Sequence, residues 1–423
     1  MTNETAAESP LDDIEDAIAA IGRGELVVVV DDEDRENEGD LIMAAQFATD
    51  EKIAFIVNHS SGVICASITD DRADELDLPL MVAENTEAMR TAFTVTVDYR
   101  HGTSTGISAA DRAATIRAMA DRSAKTTDFA KPGHIFPLRG RPGGVLKRAG
   151  HTEAAIDLAV MAGLEPAGVL CEIVNPDGTM ARVPDLIEFC KTHNLRFISI
   201  ADLVRYRRRT EKLVTRMSEA TIPTRFGDFQ AVVYESVLDG EQHVAFVRGN
   251  PADSEDVLVR VHSECLTGDI FGSLRCDCGP QLDLALQTIA DADEGVVIYL
   301  RGHEGRGIGL GHKIRAYALQ QDGLDTVDAN LELGLPSDSR EYGIGAQMLV
   351  DLGVTTMRLM TNNPAKYGGL DGFGLEITGR VPSYIEPTEH NIAYLRAKQD
   401  RMGHLLSIDN TSSDAAGPDE VAQ

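Results

Sequence analysis

Apolar positions along the chain fall into two rhythms. Leu11, Ile14, Ile18 and Ile21 recur at helical spacing behind Ser9 and Pro10, with Asp12 three residues after the serine and Gly24 ending the run. A serine cap, a proline at the first helical position and an acid in the first turn together predict a helix. Leu26 to Val30 is then unbroken and β-branched, the pattern of a strand covered on both faces. The runs GVICASI, TAFTVTVD, AGVLCEIV and RFISI follow as strands. Between them, helices are predicted from Ser108 through Met119, at TEAAIDLAVMA and from Pro184. Alternation of this kind predicts a layered α/β fold.

Near residue 205 the texture changes. RYRRRTEKLV is basic and strand-poor, and it reads as a connection between a first domain, 1–204, and a second, 205–423. Three strand-like runs then come in succession (DFQAVVYES, HVAFVRG, DVLVRVHS), so the second domain is predicted to open with a β-meander. Helices PQLDLALQTIAD, HKIRAYALQ and GIGAQMLVDLG alternate with strands GVVIYL and TTMRLM. The expectation is two layered α/β (α+β) domains in tandem with mixed sheets. Residues from about 406 to 423 are small and polar and are predicted to form a disordered tail.

Composition narrows the function. A 43% hydrophobic content is ample for packed cores, and 39 Lys+Arg against 68 Asp+Glu give a net charge of −29. That field repels a phosphate backbone and argues against nucleic acid as a partner. It leaves small phosphorylated substrates open, because a local basic cluster or a metal reverses the field inside a pocket. No apolar run approaches the ~20 residues of a membrane span. The opening MTNETAAESPLDDIED is acidic and polar, unlike a secretory signal, so a cytoplasmic enzyme is expected. Of six cysteines, Cys65, Cys171 and Cys190 are scattered among apolar neighbours, whereas Cys265, Cys276 and Cys278 are clustered.

The cluster sits in RVHSECLTGDIFGSLRCDCGPQ, at spacing C-x10-C-x-C. Three thiolates with a vacant fourth position describe a catalytic zinc site. The same spacing also allows a closed structural site in which His262 or His303 completes the shell. The loop Arg301-Gly302-His303-Glu304-Gly305-Arg306-Gly307-Ile308-Gly309 follows a buried strand and suits phosphate, although it also reads as a tight turn. Strand TTMRLM opens into Thr361-Asn362-Asn363-Pro364-Ala365-Lys366, a ligand position in α/β layers.

These pieces resemble GTP cyclohydrolase II across residues 205–405. The resemblance implies zinc on Cys265, Cys276 and Cys278, with a water on the metal attacking the imidazole carbon of guanine. It implies GTP contacts from Arg260, Val261, His262, Ser263 and Glu264. Further contacts are implied from Gln281, Glu304, Gly305, Arg306, Thr326, Thr361 and Lys366, with Tyr317 on the guanine side. Asp338 and Arg340 match the pair assigned as proton acceptor and as nucleophile toward the α-phosphorus. Because guanidinium stays protonated, Arg340 is read as essential at the α-phosphate rather than as a covalent nucleophile.

In the first domain, ten residues from Asp31 to Asp40 (DDEDRENEGD) end the buried strand. So many carboxylates repel one another unless a hard cation or basic substrate offsets them, or unless the loop is simply a solvated turn. Lys147-Arg148-Ala149-Gly150-His151-Thr152-Glu153 is a basic helix start, and His134 and Glu172 are further titratable groups. Glu172, within an apolar strand, needs a partner.

Residues 8–204 resemble 3,4-dihydroxy-2-butanone 4-phosphate synthase. The resemblance implies Mg²⁺ or Mn²⁺ on Glu36 and His151. Ribulose 5-phosphate contacts are implied from Arg35, Glu36, Asp40, Arg148, Ala149, Gly150, His151, Thr152 and Glu172. His134 and Glu172 are implied as essential, and Asp40 or Glu38 as the proton-shuttling carboxylate. Thr103-Ser104-Thr105-Gly106, leading into Ser108, is predicted to be a second phosphate cradle. Cys65 reads equally well as a buried structural thiol. MVAENTEAMRTAF departs from the family's usual wording before the TAFTV strand. Both halves in this order resemble the bifunctional riboflavin-biosynthesis family, which implies a homodimer formed through the first domain.

Overall fold

The computed structural model describes residues 10–321, 342–363, 373–403 and 405–406. The chain divides into two compact units, Met1–Thr210 and Glu211–Gln423.

In the first unit seven strands form one sheet: β1 (Val27–Val30), β2 (Gly39–Ala44), β3 (Cys65–Thr69), β4 (Val97–Tyr99), β5 (Phe129–Gly140), β6 (Ala167–Glu172) and β7 (Arg196–Ser199), in the order β4-β5-β3-β6-β2-β1-β7. The sheet is mixed, since β1 runs parallel to β7 and β3 to β5 while β2 is antiparallel to β1 and β6. Helices α1 (Ile14–Gly22), α2 (Asp50–His59), α3 (Asp70–Glu75), α4 (Ala109–Ala120), α5 (His151–Met161), α6 (Val183–His193) and α7 (Ile200–Thr210) accompany it. Along β1 the pleat sends Val28 and Val30 into one core, with Ile53 and Ile116, and Val27 and Val29 into another, with Leu158 and Ile198. A strand covered on both faces has no polar side to show, which is why its sequence is unbroken.

Three local expectations are corrected. The first helix begins at Ile14 with Asp13 at its cap, not at Pro10, and Ser9 lies outside the described residues. Residue 12 is tied to β7 instead: Asp12 N–H donates to the Phe197 carbonyl at 2.7 Å and its carboxylate accepts the Phe197 N–H at 2.8 Å. The stretch TAFTVTVD yields strand only over Val97–Tyr99, with isolated bridges at Phe93 and Thr94. The basic run after 204 is helix as far as Thr210, where the first unit ends, and only 211–213 connect it to the next strand. The reason is burial: Ile200 and Leu203 are in the core, and Arg207 pairs with Asp157 at 2.7 Å.

The second unit holds β8 (Val214–Thr224), β9 (Gly227–Ser236), β10 (Gln242–Arg248), β11 (Val257–Ser263), β12 (Gly295–Leu300), β13 (Thr356–Met360) and β14 (Glu376–Val381), in the order β14-β13-β11-β12-β10-β9-β8. Its helices among the described residues are α8 (Leu266–Asp269), α9 (Cys278–Asp291), α10 (Gly309–Gln321), α11 (Gly343–Asp351) and α12 (Ile392–Met402). A meander does open this unit, but it is β8-β9-β10. Strand β11, expected as its third member, lies beyond β12 and runs parallel to β12 and β13. The residues explain the exchange. Strand β11 is buried on both faces from Val257 to His262, as a central parallel strand must be, whereas β8 is an exposed polar edge. Among the described residues no helix is long and apolar enough to cross a membrane.

Candidate active sites

In the first unit the acidic turn between β1 and β2 is organised by one buried carboxylate. Asp31 accepts from Arg35 Nη1 at 2.7 Å, from Glu36 N–H at 3.1 Å and from Glu38 N–H at 2.9 Å. The loop therefore presents Glu36 toward the start of α5. There His151 Nε2 sits 3.1 Å from the Val29 carbonyl, an acceptor only, so Nε2 carries the proton. Nδ1 is left facing Glu36 at 3.7 Å and Asp40 at 3.8 Å. Asp31, Glu36 and His151 offer ligand atoms within 4.8 Å of one another. Asp31 already carries three donors, so Glu36 and His151 are the pair with ligand capacity to spare.

The electrostatics point the same way. The bond to His151, reinforced by Arg35, holds Glu36 down to about 2. Burial opposes charge on His151, but Asp40 and Glu36 outweigh it and raise the imidazole to about 9. Burial lifts Asp40 to about 7, and its Oδ1 is enclosed without a hydrogen-bond partner among the described residues. A protonated imidazole here occupies the place where a cation relieves the same repulsion.

The register of β2 against β6 sets Asp40 opposite Glu172. Glu172 ends β6 partly exposed, and the partner it required is the Val63 N–H at 2.8 Å. Gly62 permits this, since a Cβ there would stand 2.5 Å from Glu172 Oε2. His134, on β5, is held twice by Asp98, through its N–H at 2.9 Å and through Nδ1 at 2.7 Å. Sequence reasoning missed Asp98, and only its single charge within β4 hinted at it. Arg148 donates to Glu153 at 2.8 Å and to Thr91 Oγ1 at 3.0 Å. Ala149 is exposed, and Gly150, His151 and Thr152 are buried at the head of α5. At the expected cradle, Thr103–Gly106, the side chains of Ser104 and Thr105 are exposed but two of the loop's N–H groups are already engaged. Ser104 N–H and Gly106 N–H both donate to the Asp111 carboxylate, at 3.1 and 3.0 Å. Cys65 is buried, and desolvation, with Glu172 and Asp40 nearby, pushes its thiol up, as for an inert core cysteine.

In the second unit Cys265 follows β11, and Cys276 and Cys278 stand before and at the start of α9. Their sulfurs lie within 4.8 Å of one another, Cys265 and Cys276 at 3.7 Å. Gly268 makes this approach possible: a Cβ there would meet Cys276 Sγ at 2.8 Å and Cys265 Sγ at 3.1 Å. Hydrogen bonds from the Cys276 and Cys278 thiols, with the Lys313 ammonium 3.1 Å away, hold Cys265 far below the ordinary thiol range. The same sharing pushes Cys276 up to about 11.

No fourth ligand joins them among the described residues. His262 is buried with Nε2 3.1 Å from both oxygens of Asp269, which also accepts Cys265 N–H at 3.0 Å and Tyr299 OH at 2.9 Å. His303 meets Ser263 Oγ at 3.3 Å. Neither closes the shell.

Glu304 is buried, taking Leu266 N–H at 2.6 Å and Lys313 at 2.5 Å. Tyr317 lies beneath Arg275 and Lys313, at 5.0 and 5.7 Å, and burial lifts its hydroxyl to about 12. Arg260, Val261 and His262 are buried, and Ser263 and Glu264 are partly exposed. Arg260 donates to the Met360 carbonyl at 2.9 Å and to Gln281 Oε1 at 2.6 Å. Gly305 turns the loop at φ +61, and Thr361 is buried. Thr326, Asp338, Arg340 and Lys366 lie outside the described residues, as do the side chain of Arg306 and the tail from 407.

The family profile of 3,4-dihydroxy-2-butanone 4-phosphate synthase matches residues 15–206, and that of GTP cyclohydrolase II matches 215–382. The riboflavin biosynthesis protein RibBA of Salinispora arenicola is 63% identical over 396 residues, covering 94% of each chain. A chloroplastic bifunctional riboflavin biosynthesis protein of Arabidopsis thaliana is also 63% identical, covering 93% of this chain and 73% of the relative. Among solved structures, a two-domain 3,4-dihydroxy-2-butanone 4-phosphate synthase from A. baumannii is 38% identical. The match covers 88% of this chain and all of the other at a TM-score of 0.69.

Proposed function

The chain belongs to the family of bifunctional riboflavin biosynthesis proteins, a 3,4-dihydroxy-2-butanone 4-phosphate synthase followed by a GTP cyclohydrolase II, and from that premise we propose which residues run each reaction. The first unit converts ribulose 5-phosphate to 3,4-dihydroxy-2-butanone 4-phosphate and formate. Glu36 and His151 hold Mg²⁺ or Mn²⁺, which fits a carboxylate and an imidazole whose Nδ1 faces it at 3.7 Å while Nε2 is tied to the Val29 carbonyl. The bound cation supplies a Lewis acid for neighbouring sugar oxygens. Asp40, enclosed beside His151 and in register with Glu172, moves the proton next to the carbonyl. Asp98 fixes His134 as a second proton-transfer group, and Arg35 and Arg148 receive the phosphate.

The second unit hydrolyses GTP to formate, pyrophosphate and a diaminopyrimidinone ribosylamine phosphate. Cys265, Cys276 and Cys278 hold zinc, which supplies a Lewis acid and lowers the pKa of a water. Lys313 offsets thiolate charge and, with Glu304, fixes the loop after β11. Arg260 and Gln281 face GTP from β11 and α9, Tyr317 lies on the guanine side, and Asp338 and Arg340 act at the α-phosphate. The observation that carries this reading is three sulfurs gathered around a glycine with no fourth ligand among the described residues.

A cytoplasmic setting is supported by six unpaired cysteines. A homodimer through the first unit is supported by Leu80, Met81 and Val82, each 45% exposed or more.

Formate release tests the assignment, from ribulose 5-phosphate with Mg²⁺ and from GTP with Zn²⁺. Cys276→Ser is expected to abolish zinc retention and GTP turnover while sparing the sugar-phosphate reaction, and His151→Ala to do the converse. Formate from only one substrate in the wild-type protein would reduce the enzyme to one working unit.

A further inference from the structure

The cyclohydrolase family match ends at residue 382, yet the chain continues into α12, and that helix reaches back to the cysteine cluster. Lys398 Nζ donates to Asp277 Oδ1 at 2.7 Å. Asp277 stands between Cys276 and Cys278, and its Oδ2 accepts from Gln281 Nε2 at 2.6 Å. Gln281 Oε1 in turn accepts from Arg260 Nη2 at 2.6 Å, and Arg260 Nη1 donates to the Met360 carbonyl. The array is desolvated, with the Lys398 and Asp277 side chains 12% and 3% exposed. At its far end the same segment is tied down again: Leu405 N–H donates to the Asn362 carbonyl at 2.8 Å, next to Thr361.

We infer that Lys398 is a positioning residue of the GTP site, acting through Asp277 to set the amide of Gln281 and, through it, the guanidinium of Arg260. The chemistry of the donors leaves one arrangement. Ionised Asp277 only accepts, so it takes the Gln281 amide nitrogen and turns the amide oxygen toward Arg260. Without the ammonium, a buried carboxylate has lost its neutralising charge, and Arg260 is the nearest replacement along the array. The guanidinium is then drawn off its aim. An α12 that merely clasped the fold would leave substrate affinity alone. The inference rests on the proposed reading that Arg260 and Gln281 contact GTP.

The full-length enzyme carries the test. Lys398→Met is expected to raise KM for GTP roughly tenfold, as loss of a hydrogen bond to a charged group does. Expected alongside are a kcat within about threefold, unaltered zinc content and an unchanged ribulose 5-phosphate reaction. Lys398→Arg restores most of the KM. Gln281→Ala serves as reference. If it raises KM while Lys398→Met does not, the inference fails and the site reading stands; if neither moves KM, the site reading falls too. Should Lys398→Met lose zinc, the comparison passes to Asp277→Asn. A double variant no worse than Asp277→Asn supports action through Asp277, and additive losses overturn it.

Discussion

Replacing Gly268 by alanine isolates what the three-sulfur cluster requires. The added methyl would lie 2.8 Å from Cys276 Sγ and 3.1 Å from both Cys265 Sγ and Cys278 Cβ. Favourable contact between such atoms begins near ~3.5 Å, so at least two ligand groups must give way together. Gly268 has no left-handed φ, so the effect is steric and not conformational. Overpacking of this kind costs about 1–3 kcal/mol, which converts to roughly a fivefold to 150-fold loss of zinc affinity. Competition against a chromogenic zinc chelator measures it directly, with GTP-dependent formate release falling in step. Gly272→Ala is the control. Its φ is +63 with nothing within 4 Å of a Cβ, so it strains the turn by about 1–2 kcal/mol without touching a sulfur. Gly268→Ala that binds zinc as tightly as wild type would refute the claim that the glycine makes room for the metal ligands.

Other consequences follow from single contacts. Asp98→Asn is expected to lower ribulose 5-phosphate turnover roughly ten- to hundredfold with metal affinity retained; equal loss of both would mean Asp98 only holds the sheet. Asp31→Ala strands the three donors it collects and is expected to destabilise the first unit by about 2–3 kcal/mol in urea denaturation, with weaker Mg²⁺ binding. His243, buried on β10 with Nδ1 accepting the Arg301 N–H at 3.1 Å, is pushed below its ordinary value by burial. The unfolded chain therefore takes up the proton first. Stability of the second unit is full above about pH 6.5 and falls as pH drops below it, a slope that His243→Gln should flatten.

Much of this molecule was legible in its sequence because the signals are local. Unbroken β1, the helix running from Ser108 and the strand of six at GVVIYL all report burial or spacing within one element. The three clustered cysteines occupy one short segment, so their proximity is nearly a property of the chain itself. What the tertiary structure decided is partnership. Only the sheet order moves β11 beyond β12, and β8 escaped notice because an exposed edge strand carries no apolar alternation. Asp98 and His134 are 36 residues apart, and Lys398 and Asp277 are 121 apart. Thr103–Gly106 looked like a phosphate cradle until Asp111 was seen to occupy it. Periodicity records which side chains leave water; it does not record which polar group waits for each of them, because that depends on strands and helices brought together from distant parts of the chain.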